Sequence, residues 1–221
     1  MIVYKLSPSS LNLLEECPKC FWLQLVKKIS RPYGAFPSLP SGMDKILKEH
    51  FDNFMKKGEL PPEFHKNKLK GYKLFDNEEL LRTWRNNFKG IEYLDEKLGV
   101  LLRGAIDNIL VKGNKLVVLD YKTRGYAVKE DTAHYYQDQL NVYSLLLRKN
   151  GYETEDYAYL LFYVPEKVLS TGEFIFNTEL VKMDIHIDHA QNLFNKAIRV
   201  LSSRTPKASK ECVFCKWKEK V

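Results

Sequence analysis

The spacing of apolar positions divides the chain into a helical first part and a strand-rich remainder. Leu11, Leu14, Phe21 and Leu25 recur at helical intervals and predict a helix to about Lys28. Ser7 is a natural N-cap for it, with Pro8 at the first helical position. Residues 29–40 hold three prolines and a glycine and read as a loop. A second helix is predicted over 41–57, with Ile46, Leu47, Phe51 and Phe54 as its apolar stripe, ended by Gly58 and Pro61-Pro62. The polar, lysine-rich stretch 59–75 reads as a surface excursion. A third helix covers 76–89, with Asp76 as N-cap and Leu80, Leu81, Trp84 and Phe88 inward.

After Gly90 the period shortens. Segments 91–98, 99–111 and 115–123 read as strands, the last two joined by a turn at Gly113-Asn114. Leu116-Val117-Val118-Leu119 is apolar on both faces, which predicts a central strand. A helix over 131–148, strands over 157–164 and 174–185, and a helix over 187–203 follow, then a proline-containing linker to Cys212. The pattern predicts an α/β fold, a mixed central β-sheet flanked by helices.

Composition changes this picture little. The chain has 221 residues, enough for one packed domain, with 44% hydrophobic and 29% charged residues. The formal charge of +7 favours an anionic partner, nucleic acid first. No apolar run approaches the roughly 18 residues of a membrane span. The opening Met1–Leu6 is too short and polar for a secretory signal. No membrane association and a reducing, cytoplasmic location are expected, in which four cysteines do not form structural disulfides.

The chemistry concentrates around one hairpin. Asp107 is expected near the middle of its strand, and Asp120 at the end of the next, so both carboxylates can face the same side. A carboxylate beside a buried apolar run needs a partner. A divalent cation serves, since Mg²⁺ takes one or two carboxylates plus water and phosphate oxygens. Alternation puts Lys122 on the face of Asp120, where its ammonium can hold a water or a phosphate oxygen. Gln139 and Tyr143, at i and i+4 on the following helix, share a face that can point back at the site.

Gly104-x-x-Asp107, Asp120-Tyr121-Lys122 and Gln139-x-x-x-Tyr143, in that order, resemble the RecB-like branch of the PD-(D/E)XK nuclease superfamily. So does the opening Leu6-Ser7-Pro8-Ser9-Ser10-Leu11 with Cys17-Pro18. CRISPR-associated RecB-like exonucleases and AddB-type nuclease domains share these features. The resemblance implies a restriction-endonuclease-like core over 91–203, a mainly helical part over 1–90 and a cysteine clasp over 204–221, in a single nuclease domain. It implies Mg²⁺ or Mn²⁺ held by Asp107, Asp120 and the Tyr121 carbonyl, with Lys122 catalytic and Gln139 and Tyr143 supporting the site or touching DNA. It also implies a helical histidine ligand, for which His50 is the candidate and His134 the alternative. Arg103, Arg124 and Tyr126, with Trp22 and Trp217 further off, are candidates to track single-stranded DNA by charge and stacking. The implied activity is a deoxyribonuclease in DNA repair, recombination or CRISPR adaptation. The rival readings are a non-catalytic nucleic-acid-binding module and a subunit dependent on a helicase or CRISPR adaptation proteins.

The cysteines fall into two pairs, Cys17-x-x-Cys20 and Cys212-x-x-Cys215, with none left over. Four thiolates complete one tetrahedral metal site. The resemblance implies a structural [4Fe-4S] cluster, although its usual arrangement is one cysteine near the N-terminus and three near the C-terminus. Zinc fits the two-plus-two arrangement equally well.

Overall fold

The computed structural model describes residues 4–32, 34, 38–67 and 69–218, leaving aside the side chains at 67, 217 and 218. Tyr4–Leu6 forms a short strand, β1, too brief to show a period. Ser7 caps α1 (Pro8–Glu16), accepting from the Ser10 N–H at 3.3 Å while its own N–H donates to Ser10 Oγ at 2.8 Å. The helix expected to run on to Lys28 breaks at Cys17, whose φ of −160° and ψ of 105° are extended. Pro18 is the cause. Its ring excludes the helical region for the residue before it, and its fixed φ starts α2 (Pro18–Val26).

Helix α3 (Ser38–Lys57) begins earlier than expected, with Pro40 in its first turn, where a missing N–H costs nothing. It buries Leu47, Phe51 and Met55, whereas Ile46 is exposed. The expected surface excursion has structure of its own. A 3-10 turn (Pro62–Asn67) and strand β2 (Tyr72–Leu74) are pinned by the buried side chains of Phe64 and Leu74. Helix α4 (Glu78–Trp84) is capped by Asn77, not Asp76: Asn77 Oδ1 accepts from the Leu80 N–H at 3.0 Å. Because α4 ends at Trp84, Phe88 lies outside it and is 85% exposed instead of facing inward.

The largest correction concerns 99–111. Strand β3 (Ile91–Asp95) is followed by β4 (Val100–Gly104) and β5 (Asn108–Lys112), which lie in different sheets. The intervening Ala105-Ile106-Asp107 is held by α4 and the residue after it. The Ile106 N–H donates to the Trp84 carbonyl at 3.0 Å, and Arg85 Nε donates to the Asp107 carbonyl at 2.7 Å. Backbone groups that a continuous strand would pair along a ladder are thus satisfied sideways. Asp107 therefore stands in a break, one residue before β5.

Strand β6 (Lys115–Thr123) pairs antiparallel with β5 across the Gly113-Asn114 turn, where Gly113 takes a φ of +59°. A 3-10 turn (Thr132–Tyr136) leads into α5 (Gln137–Lys149). Strands β7 (Tyr157–Val168) and β8 (Phe174–Asp184), helix α6 (Ile187–Leu201) and a short α7 (Val213–Lys218) complete the chain. The main sheet has the order β2-β5-β6-β7-β8, with β6 and β7 parallel through the α5 crossover. A smaller mixed sheet has the order β1-β4-β3. The architecture is a mixed α/β fold with two mixed sheets flanked by helices, as the alternation of elements predicts.

Central β6 buries Leu116 to Leu119, as its doubly apolar run predicts. Helix α5 contributes Gln139 beside Asp120 and Lys122, on one face of the sheet. On the other, Phe51 of α3 packs against Tyr121 with ring centroids 4.7 Å apart. Among the described residues, no helix is long and apolar enough to cross a membrane.

Candidate active site

Alternation along β6 sends Asp120 and Lys122 toward α5 and Tyr121 toward α3. The Asp120 carboxylate is 1% exposed, and its Oδ2 forms an ion pair with Lys122 Nζ without accepting a well-aligned hydrogen bond. Gln139 locks the pair from above. Its Nε2 donates to Asp120 Oδ1 at 3.1 Å and to the Tyr143 hydroxyl at 2.8 Å, while its Oε1 accepts from Lys122 Nζ at 3.1 Å. The Lys122 ammonium also sits 4.6 Å from the centroid of the Tyr136 ring. Asp107 reaches in from the chain break before β5, where its Oδ2 accepts from the Tyr121 N–H at 3.1 Å. The structure thus brings together Asp107, Asp120, Lys122, Gln139 and Tyr143, five side chains the sequence singles out.

The electrostatics follow from burial. Desolvation, reinforced by the negative charge of Asp107, pushes the Asp120 carboxyl up to about 7 against the pull of Lys122. Burial alone would lower the Lys122 ammonium, but the charge and hydrogen bonding of Asp120 together with the charge of Asp107 outweigh it, and the net direction is up. Burial and the same two carboxylates push the Tyr143 phenol well above its ordinary value, so it stays protonated.

Five contributors escaped the sequence reading. Lys48 of α3 donates to Asp44 Oδ2 at 2.7 Å and lies 3.1 Å from Asp107 Oδ1. An ammonium thus bridges one oxygen of Asp107 and a third carboxylate. Burial would lower this ammonium too, but the charges of Asp107 and Asp44 raise it. Arg85 grips Asp52 through both carboxylate oxygens, at 2.7 and 2.9 Å, while holding the Asp107 carbonyl. Tyr136 completes the surroundings of Lys122. The i, i+4 spacing of Asp44 and Lys48 was a visible signal, though one shared with any solvated helix face.

His50 lies elsewhere. Two residues past Lys48, it is turned roughly 200° around the helix. Its Nε2 is 3.0 Å from Glu63 Oε1, and the same oxygen accepts from the Tyr163 hydroxyl at 2.8 Å. His134 is exposed on the turn before α5. The Tyr121 side chain is buried, its hydroxyl accepting from Asn108 Nδ2 at 2.6 Å. Among the other nucleic-acid candidates, Arg103 lines a cleft of about 370 Å³ with Gln139, Tyr143, Lys89, Asn86 and Ser7. Arg124 and Tyr126 follow β6, and Tyr126 is 83% exposed. Trp22 is buried, donating to the Ser203 carbonyl at 3.2 Å, so it offers no free face for stacking. The Trp217 side chain lies outside the described residues.

Where α2 meets α7, the two cysteine pairs come together. Cys17, Cys20, Cys212 and Cys215 are buried, and their four sulfurs lie within 4.8 Å of one another, an arrangement that can hold a metal ion.

A family model of the PD-(D/E)XK nuclease superfamily matches residues 5–219. No curated protein matches the chain. Among solved structures, the crystal structure of SSO0001 is similar, with a TM-score of 0.47 at 16% identity over 97% of this chain and 84% of that one. The chain belongs to the PD-(D/E)XK nuclease superfamily.

Proposed function

We propose that this member of the PD-(D/E)XK nuclease superfamily is a metal-dependent deoxyribonuclease acting as an exonuclease on single-stranded DNA. The observation that carries this reading is the buried Asp120 carboxylate, clamped between Lys122 and Gln139, with Asp107 on the adjacent strand end. A carboxylate this deep, raised by its own desolvation, suits a site completed by a cation. Its Oδ2, ion-paired with Lys122 but without an aligned hydrogen bond, is the oxygen a cation would take over. Asp107 and Asp120 would hold Mg²⁺ or Mn²⁺, with the Tyr121 carbonyl and a group from α3 as further ligands. Asp44 takes that last role in preference to His50, because Lys48 already joins Asp44 to Asp107. The bound ion would polarise the phosphodiester and activate a water.

The chain's own groups do the rest. Lys122 presents a positive charge to the non-bridging phosphate oxygen or to the attacking water. Gln139 fixes Asp120 and Lys122 relative to each other, and Tyr143 braces Gln139. Arg103 and Lys89, at the cleft leading to Gln139, supply charge for the backbone. Tyr126 supplies an exposed ring for stacking, which tolerates any base. A single-stranded substrate would be supplied by a helicase partner in repair, recombination or CRISPR adaptation. Four unbridged thiols suit a cytoplasmic setting.

The test is degradation of end-labelled single- and double-stranded DNA with Mg²⁺ or Mn²⁺. Asp120→Ala and Lys122→Ala should abolish cleavage while circular dichroism stays unchanged. Cleavage by both variants at the wild-type rate would remove the site assignment. Tight DNA binding without cleavage under any divalent metal would favour a non-catalytic binding module.

A further inference from the structure

The disposition of the four cysteine sulfurs discriminates between the two metal groups that the sequence leaves open. Cys17 Sγ lies 3.9 Å from Cys215 Sγ, Cys20 Sγ lies 3.6 Å from Cys212 Sγ, and Cys20 Sγ lies 3.7 Å from Cys215 Sγ. All four lie within 4.8 Å of one another. A single ion with metal–sulfur bonds of about 2.3 Å at tetrahedral angles requires its sulfurs about 3.8 Å apart. A [4Fe-4S] cubane needs a wider cage, because each thiolate takes a separate iron at a separate corner, which sets the sulfurs roughly 6 Å apart. The observed spacings fit the first and are too short for the second. They are also too long for disulfides, whose sulfurs bond at about 2.05 Å.

We infer that Cys17, Cys20, Cys212 and Cys215 hold one tetrahedral Zn²⁺, and that this chain carries no [4Fe-4S] cluster. The pairing supports a single ion. These three contacts each cross from the N-terminal pair to the C-terminal pair, as the corners of one tetrahedron shared by two C-x-x-C turns do. We assign zinc because its structural sites are closed four-thiolate tetrahedra of this kind; a single iron takes the same geometry, and metal analysis separates the two. Four thiolates around a divalent ion leave a charge of minus two. Arg31 meets part of it, since Nη2 donates to Cys212 Sγ at 3.7 Å while the guanidinium stacks 4.5 Å from the Phe214 ring centroid. The ion joins α2 to α7 and so staples the two ends of the chain. This inference is independent of the nuclease reading.

The test uses the full chain, purified without oxygen and without added metal. Elemental analysis should give one zinc per chain, with no visible absorption. Exchange with Co²⁺ should give the thiolate-to-cobalt charge-transfer and visible d–d bands of a four-thiolate tetrahedral site. Cys215→Ser should shift those bands toward three-thiolate coordination. Metal analysis of the unsubstituted chain decides the matter even where that variant does not fold. About four irons with matching acid-labile sulfide and a broad visible band would overturn the proposal. So would one iron per chain, or four thiols that bind neither zinc nor cobalt.

Discussion

Lys48→Met tests whether a lysine ammonium occupies part of the cation site. In the structure Lys48 Nζ is 3.1 Å from Asp107 Oδ1 and 2.7 Å from Asp44 Oδ2, and its side chain is 20% exposed. A metal that ligates Asp107 must break the first contact. An ion pair buried to this extent contributes about 1.5–3 kcal/mol, between the exposed and the fully buried cases. The contact to Asp44 counts for less, because that carboxylate is 41% exposed and water screens it. Removing the competitor should therefore tighten metal binding by roughly 10- to 100-fold, since each 1.4 kcal/mol is a factor of ten. The metal-free variant should lose on the order of 1–3 kcal/mol of stability through unpaired carboxylates, and added metal should restore it. Mn²⁺ titration followed by electron paramagnetic resonance reads the affinity directly and leaves the thiolate site aside, since manganese prefers oxygen ligands. Asp120→Asn serves as the control that weakens binding. Wild-type or weaker Mn²⁺ affinity in Lys48→Met would refute the competition.

Gly104→Ala should destabilise the fold by about 1–3 kcal/mol through overpacking. A Cβ there would meet Tyr143 Cε1 at 2.6 Å and Cδ1 at 2.7 Å, and a urea melt paired with Gly104→Ala/Tyr143→Leu should show relief in the double variant. Gln139→Leu should cut cleavage sharply while moving the melting midpoint less, because it releases both Asp120 and Lys122; unchanged kcat would contradict its clamping role. Because burial raises the Asp120 carboxyl to about 7, the folded state holds its proton more tightly than the unfolded chain. That stabilisation is full below the unfolded value of about 3.9 and is lost as pH rises through about 7. Metal-free protein should thus lose stability across that window, and saturating Mg²⁺ should flatten the loss; a rising profile would exclude the raised value.

Some features were legible because their cause is local. Ser7-Pro8 specifies a helix start, Gly113-Asn114 a hairpin, and Leu116–Leu119 a central strand through residues that act on their neighbours in the chain. The hairpin register places Asp107 opposite Asp120 although Asp107 lies just outside β5, the strand period puts Lys122 on the face of Asp120, and the i, i+4 spacing brings Gln139 and Tyr143 with them. The pairing of the two C-x-x-C motifs was legible by counting alone. Other features depend on contacts across the chain. The helix break at Cys17 is a borderline case, since Pro18 was visible but the apolar period runs through it. The split of 99–111 into β4 and β5 was not visible, because the groups that satisfy the bend come from Trp84 and Arg85. Nor was the bridge from Lys48 to Asp107, because a lysine on a helix reads as solvated until a carboxylate from another element is brought beside it. The sulfur spacing likewise exists only once α2 and α7 meet. Sequence determined which groups carry the chemistry, since residue type and local period are intrinsic to the chain. Only tertiary structure decided their counter-charges and the size of the thiolate cage, since both depend on how far apart separate elements come to rest.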